Sequence, residues 1–168
     1  DGFAVQLQRA LSRVKSIFVT FSDEAGDGNN VRQFMHPLKN AEYDPDKDTF
    51  EWYLQVGSTR MPDFDVKSIA ESWYQFTKAL NMIGSVETVS IPPSAYTLNR
   101  FIIGMDLEKA AVGPGAGAAY SGLSLRAMDG LRFEAKGLTG LTAPTKCWIS
   151  LIFDQLLTIK LEGCEVFD

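Results

Sequence analysis

Apolar and polar residues alternate along most of this chain, and a period of two predicts β-strands. The clearest run is Phe50-Glu51-Trp52-Tyr53-Leu54-Gln55-Val56, which places Phe50, Trp52, Leu54 and Val56 on one face. The same spacing groups Ile17, Val19 and Phe21, then Phe101, Ile103, Met105 and Leu107. It also groups Leu131, Phe133 and Ala135, with Arg132, Glu134 and Lys136 opposite. The stretch from Lys146 to Lys160 reads as strand but has no turn signal at Asp154-Gln155, so a bulge or bend there should divide it into two strands. A turn at Glu162-Gly163-Cys164 then leads to a short end strand around Glu165-Val166-Phe167.

One segment has a different period. Val66, Ile69, Ala70, Trp73, Phe76 and Leu80 recur at steps of three and four, predicting an amphipathic helix over about 65–81. Asp65 is the expected N-cap, because a carboxylate there accepts from first-turn amides and complements the helix dipole. Asn81 and Gly84 mark the expected end. Connections of turn composition cover 22–30, 39–48, 90–94 with the Pro92-Pro93 pair, 110–119 and 137–144. Many strands, one helix and long loops fit an antiparallel all-β sandwich, whereas alternating β–α units would need more helices. No tandem repeat or interdomain linker interrupts residues 1–168, which read as one domain.

Composition narrows the function. The chain has 168 residues, 45% hydrophobic, with 16 Lys+Arg against 21 Asp+Glu for a net charge of −5. A domain of this size buries about two-thirds of its extended-chain surface, so neither metal nor disulfide is needed to hold it. Cys147 and Cys164 would pair if the fold brings them together, and without a nearby Cys or His the plainer expectation is that they are reduced and buried. The acidic balance and the absence of a basic stripe argue against a domain that neutralises phosphate. The longest apolar runs, such as Ile17-Phe18-Val19, fall far below the roughly 20 residues a membrane helix requires. The first residue is Asp1 and no apolar leader precedes the first strand-like segment, as expected of a processed chain or part of a longer one.

No catalytic constellation stands out. His36 is the only histidine, set in Met35-His36-Pro37, and a hydrolase would have to depend on it; no Gly-x-Ser-x-Gly elbow occurs. Asp44, Asp46 and Asp48 alternate like the start of a calcium loop, with Asp23, Asp27 and Asn29 in another loop. The helix–loop–helix pattern requires glycine at its sixth place and glutamate at its twelfth, where Thr49 and Gln55 stand, so a solvated acidic turn is the plainer reading. Gly113, Gly115 and Gly117 lack the Gly-Lys-Ser/Thr of a phosphate cradle. Among the aromatics, Trp52 and Trp73 fall on predicted core faces, while Tyr53, Tyr74 and Trp148 are undetermined and, if exposed, mark a protein contact more often than a sugar site. No enzyme activity, cofactor or metal is expected. The alternative is a calcium-assisted carbohydrate-binding module using Asp44, Asp46 and Asp48 with Tyr53 or Trp148.

The order of segments is more informative than any one of them. Val14-Lys15-Ser16-Ile17-Phe18-Val19 comes first, followed by Trp52-Tyr53-Leu54-Gln55-Val56-Gly57-Ser58 and Arg60-Met61-Pro62. Then come the aromatic helix with Trp73-Tyr74-Gln75, Phe101-Ile102-Ile103-Gly104-Met105-Asp106-Leu107-Glu108, and Tyr120-Ser121-Gly122-Leu123-Ser124-Leu125-Arg126. The series closes with Phe153-Asp154-Gln155-Leu156-Leu157-Thr158-Ile159 and Glu162-Gly163. In this order the chain, from about Val14 to Val166, resembles the C-terminal jelly roll of the double jelly-roll major capsid proteins of large double-stranded DNA viruses and their Polinton-like relatives. It departs from them in lacking a proline at Tyr120-Ser121-Gly122 and in ending on Cys164-Glu165-Val166-Phe167. The resemblance implies a jelly-roll sandwich of about eight strands, forming half of a subunit that assembles as a homotrimer into pseudo-hexagonal capsomers of a virion shell. Its implied partners are copies of itself, neighbouring capsomers and minor capsid proteins, with no direct contact to nucleic acid. On this analogy the loops 39–48 and 110–119 are candidates for outward or intersubunit contacts.

Overall fold

The computed structural model describes residues 2–22, 50–83, 89–97, 99–108, 122–126, 130–137, 146–160 and 163–167. They form a sandwich-like β fold. In chain order the elements are β1 (Gly2–Leu7), β2 (Val14–Ser22), β3 (Glu51–Val56), β4 (Thr59–Val66), α1 (Ile69–Ala79), the single turn α2 (Pro93–Tyr96) and β5 (Ile103–Asp106). They continue with β6 (Leu131–Lys136), β7 (Lys146–Phe153), β8 (Leu156–Lys160) and β9 (Gly163–Phe167). One sheet has the order β1-β6-β3-β4, a second β5-β2-β7, and a third is the β8-β9 pair. Among the described residues all the pairings are antiparallel. Only β3 and β4 are consecutive neighbours in the four-stranded sheet, so the chain otherwise passes from one large sheet to the other between successive strands up to β7.

The predicted faces are the observed ones. Phe50, Trp52, Leu54 and Val56 are buried, as are Ile17, Val19 and Phe21, the alternating set Phe101, Ile103, Met105 and Leu107, and Leu131, Phe133 and Ala135. They meet in one apolar cluster drawn from both large sheets, the arrangement that lets two half-apolar sheets remove their inner faces from water. Edge-to-face aromatic pairs run through it, Phe21 with Phe50 at 6.0 Å and Phe50 with Phe101 at 6.1 Å between ring centroids. Across the four-stranded sheet's outer side, Lys67 pairs with Glu51 at 3.0 Å and Arg132 with Glu134 at 3.2 Å, so this face is charged and solvated.

The structure departs from the sequence expectation first in strand number: the described residues contain nine strands rather than about eight. Apolar alternation does not mark β1, because Gly2, Ala4 and Gln6 give its outer side no charge contrast with Phe3, Val5 and Leu7. It forms because β6 offers an edge, in a register from Gly2↔Lys136 to Leu7↔Leu131. Strand β4 is equally hidden in the sequence, since Pro62 argues against a central strand; it lies at the edge of its sheet, where a missing amide hydrogen costs nothing. Its hairpin with β3 turns on Gly57 and Ser58, with Gly57 at φ +58° in the first loop position, a conformation open to glycine.

The helix begins later than position 65. Its N-cap is Ser68, not Asp65. Ser68 Oγ accepts from Glu71 N at 3.1 Å, and Glu71 Oε2 accepts from Ser68 N at 3.1 Å and from Lys67 N at 2.9 Å. This reciprocal capping box satisfies more first-turn donors than a lone carboxylate at 65 would. Asp65 instead stays in β4 and accepts from Arg60 at 3.1 Å. At the other end Leu80 is the C-cap and Asn81 takes φ +56°, the left-handed step that commonly stops a helix. The turn α2 is a further departure, a short helix where the Pro92-Pro93 pair predicts a connection; Pro93 stands in its first turn, the position that a proline suits.

Helix α1 lies against β5, with Phe76 meeting Phe18 edge-to-face at 6.3 Å. Trp52 Nε1, buried under the four-stranded sheet, donates to Ser72 Oγ at 3.0 Å. One helix is thus bonded to one large sheet while packed on an edge strand of the other.

Candidate functional site

Strand β7 alternates in burial along its whole length, with Cys147, Ile149, Leu151 and Phe153 toward the core cluster and Lys146, Trp148, Ser150 and Ile152 outward. Two of the outward residues are large and apolar, Trp148 and Ile152, and each is about half exposed. Trp148 Nε1 donates to Ser22 Oγ at 3.0 Å, so the indole is held in place on the neighbouring strand β2 while its ring stays accessible.

After the predicted bend at Asp154-Gln155 the chain enters β8. Asp154 N donates to Arg13 O at 3.1 Å, and its carboxylate sits 3.0 Å from Lys15 Nζ, which also lies 3.4 Å from Glu108. The hydrogen bond and charge of Asp154, with Glu108 adding to them, push the Lys15 ammonium pKa up. This ion cluster ties the bend to β2 and to the end of β5.

Beyond the bend, among the described residues β8 and β9 pair only with each other, in a register that sets Leu157 opposite Val166 and Ile159 opposite Cys164. Leu157, Ile159 and Val166 are exposed, Ile159 at 75%. By the two-residue period these three residues share one side of the hairpin. A lone two-stranded hairpin is marginally stable in water, and exposed contiguous apolar residues are characteristic of surfaces that meet another molecule. The candidate site is therefore the β8–β9 hairpin with its exposed Leu157, Ile159 and Val166; Trp148 and Ile152 are exposed as well, on the strand that precedes it.

The residues singled out in the sequence distribute as follows. Trp52 is fully buried and Trp73 packs on the core, as expected. Tyr53, undetermined by sequence, is 4% exposed; the Arg60 guanidinium covers its ring at 3.9 Å from the centroid and Lys136 stands at 5.2 Å. That covering leaves it no face to stack on a sugar. Tyr74 and Trp148 are exposed. Cys147 is a free thiol, half-buried, and burial pushes its pKa up to about 11, which keeps it a thiol rather than a nucleophilic thiolate near neutrality. His36, Asp23, Asp27, Asn29, the Asp44, Asp46, Asp48 series, Gly113, Gly115 and Gly117 lie outside the described residues, as do the loops 39–48 and 110–119 and the side chain of Cys164. Among the described residues no group of three His, Cys, Asp or Glu side chains could hold a metal ion, and no helix is long and apolar enough to cross a membrane.

The exposed hairpin is not among the sites expected from sequence, although its signal is present: Leu157, Ile159 and Val166 fall on one face of two short strands joined at a glycine turn, and two strands alone cannot bury an apolar face. Comparison with protein families, with curated proteins and with solved structures finds no match to this chain.

Proposed function

We propose that this chain is a structural shell domain, the C-terminal jelly roll of a double jelly-roll major capsid protein that assembles as homotrimeric, pseudo-hexagonal capsomers in the virion of a double-stranded DNA virus. The single observation that carries the reading is the β8–β9 hairpin, whose Leu157, Ile159 and Val166 are exposed. A binding surface of this kind is what a repeating shell requires of each copy. The motif order from Val14 to Val166 supports it, as does a sandwich whose successive strands mostly alternate between two sheets. The role is assembly, without chemistry: the partners are further copies of the chain, adjacent capsomers and minor capsid proteins, and no cofactor takes part. A net charge of −5 suits a wall whose contacts are protein rather than genome.

Electron microscopy of material assembled from the full-length subunit tests the reading. Hexagonally packed capsomers with threefold subunit order are expected. A dispersed monomer under all assembly conditions, or a closed oligomer that builds no lattice, rejects it.

A further inference from the structure

The β8–β9 hairpin joins the sandwich through Asp154 and Gln155, and the strand beside that junction is irregular. Along β2, Val14 and Ile17 are both buried although they stand three positions apart, where a regular strand brings alternate residues to one face. A β-bulge absorbs the odd step. Val14 opposes Phe153 and Ser16 opposes Ile152, so Lys15 is the extra residue, and a bulge of this kind re-aims a side chain. Lys15 thus stands on the central strand of the β5-β2-β7 sheet, beside Phe153, the last residue of β7.

Lys15 Nζ lies 3.0 Å from Asp154 Oδ2 and 3.4 Å from Glu108 Oε1. Asp154 follows β7 and Glu108 lies just beyond β5, so one ammonium on the middle strand joins the ends of both neighbouring strands. The backbone is fixed at the same place: Leu107 N donates to Lys15 O at 2.7 Å, and Asp154 N to Arg13 O at 3.1 Å. Glu108 N donates to Asp106 Oδ1 at 2.9 Å, which orders the segment carrying the second carboxylate. Past Asp154 this support ends. Among the described residues β8 and β9 bond in a ladder only to each other, and no other element packs extensively on them. The direction in which Leu157, Ile159 and Val166 are presented therefore depends on the junction and on what holds it.

We propose that Lys15 is a positioning residue, an ionic brace that fixes the direction of the β8–β9 hairpin relative to the sandwich and so presents its apolar side in one orientation. The proposal rests on the assembly reading only for the identity of the partner that the hairpin meets. Removing the ammonium does more than delete an attraction. The carboxylates of Asp154 and Glu108, which share it, are left as neighbouring like charges, and their repulsion drives the start of the hairpin away from the end of β5. A surface held in one direction binds with a smaller ordering cost than one that swings, so the brace acts on binding without touching the partner.

Residual dipolar couplings of the full ¹⁵N-labelled chain test this. In the wild type the β8 and β9 amides should fit the alignment frame of the sandwich strands. In Lys15→Met they should leave that frame with reduced amplitude, while the couplings of β3, β4 and β6 stay unchanged. The cross-strand amides of the hairpin should also exchange about threefold or more faster, the scale that two partly exposed ion pairs support. Lys15→Arg should restore both readings. Asp154→Asn, which keeps the backbone bond to Arg13, should free the hairpin as Lys15→Met does, and Glu108→Gln should do so less, because Glu108 reaches the junction only through Lys15. A Lys15→Met hairpin that stays in the sandwich frame overturns the proposal. So does equal loosening by Lys15→Arg, or an Asp154→Asn hairpin that behaves as the wild type; this last variant decides the matter even where Lys15→Met fails to fold. The couplings are read on the free chain, so they judge the brace whether or not lattices form, and failure of the wild-type subunit to assemble counts against the shell reading alone.

Discussion

At the scale of single residues, the buried indole of Trp52 brings one N–H into the core, and Ser72 is there to accept it. Replacing Ser72 by alanine leaves that donor buried without a partner, so a loss of about 1–3 kcal/mol is expected in urea unfolding. Glu71 has a second kind of dependence. Its carboxylate accepts from the backbone amides of Lys67 and Ser68, and those bonds hold its pKa below the ordinary 4.5. A folded-state pKa below the unfolded one means stabilisation that is complete above about 4.5 and fades as pH falls through the folded value. The stability difference between the wild type and Glu71→Gln should therefore be largest near neutral pH and shrink in acid, measured by chemical unfolding across about pH 2–7. A difference that grows in acid would contradict the capping role. Tyr96 follows the same logic of a satisfied polar atom: its hydroxyl donates to Ile102 O at 2.9 Å, and burial pushes its pKa up.

At the scale of elements, the close approach of α1 to β5 depends on a glycine. A Cβ at position 104 would stand 3.0 Å from Phe76 Cα and 3.1 Å from both Ala79 Cβ and the Phe18 ring. Two of those three neighbours belong to the helix, so Gly104→Ala must push α1 back by a few tenths of an ångström. Overpacking of this kind costs about 1–3 kcal/mol, and a lowered melting temperature together with faster amide exchange in α1 is the expected result. The helix itself shows how local and distant signals compete. Its apolar period is readable, and so is the Ser68-Ile69-Ala70-Glu71 pattern of a capping box, yet the period also takes in Asp65 and Val66. Those two belong to β4 because Trp52 on β3 pairs with Val66 and Arg60 holds Asp65. Cross-strand pairing extends a strand to a position that periodicity alone assigns to a helix. The bend at Asp154-Gln155 carries no turn signal of its own and is anticipated because the run from Lys146 to Lys160 is longer than one ordinary strand.

At the scale of the whole molecule, two surfaces differ in kind. The outer side of the four-stranded sheet carries Glu51, Arg132, Glu134 and Lys67 in ion pairs, whereas β7 and the β8–β9 hairpin expose Trp148, Ile152, Leu157, Ile159 and Val166. Replacing Ile159, the most exposed of these, by aspartate should leave the melting temperature of the monomer within about 1–2 °C, because an exposed side chain contributes little to the core. On the proposed shell reading, particle assembly by the same variant should fall sharply in sedimentation and electron microscopy. Unimpaired assembly would move the binding surface elsewhere.

The alternation of apolar and polar residues by itself determined the strand faces, the mainly β character and the core membership of Phe50, Trp52, Ile17, Ile103 and Phe133, because side-chain direction in a strand depends only on local backbone geometry. Tertiary structure alone decided what depends on a partner distant in sequence. It recruited Gly2–Leu7 and Thr59–Val66 as edge strands. It covered Tyr53 with Arg60, brought Arg9 and Arg126 to one cleft and left Leu157, Ile159 and Val166 of the β8–β9 hairpin exposed. Exposure is a property of the packed assembly of elements, and no single segment carries it.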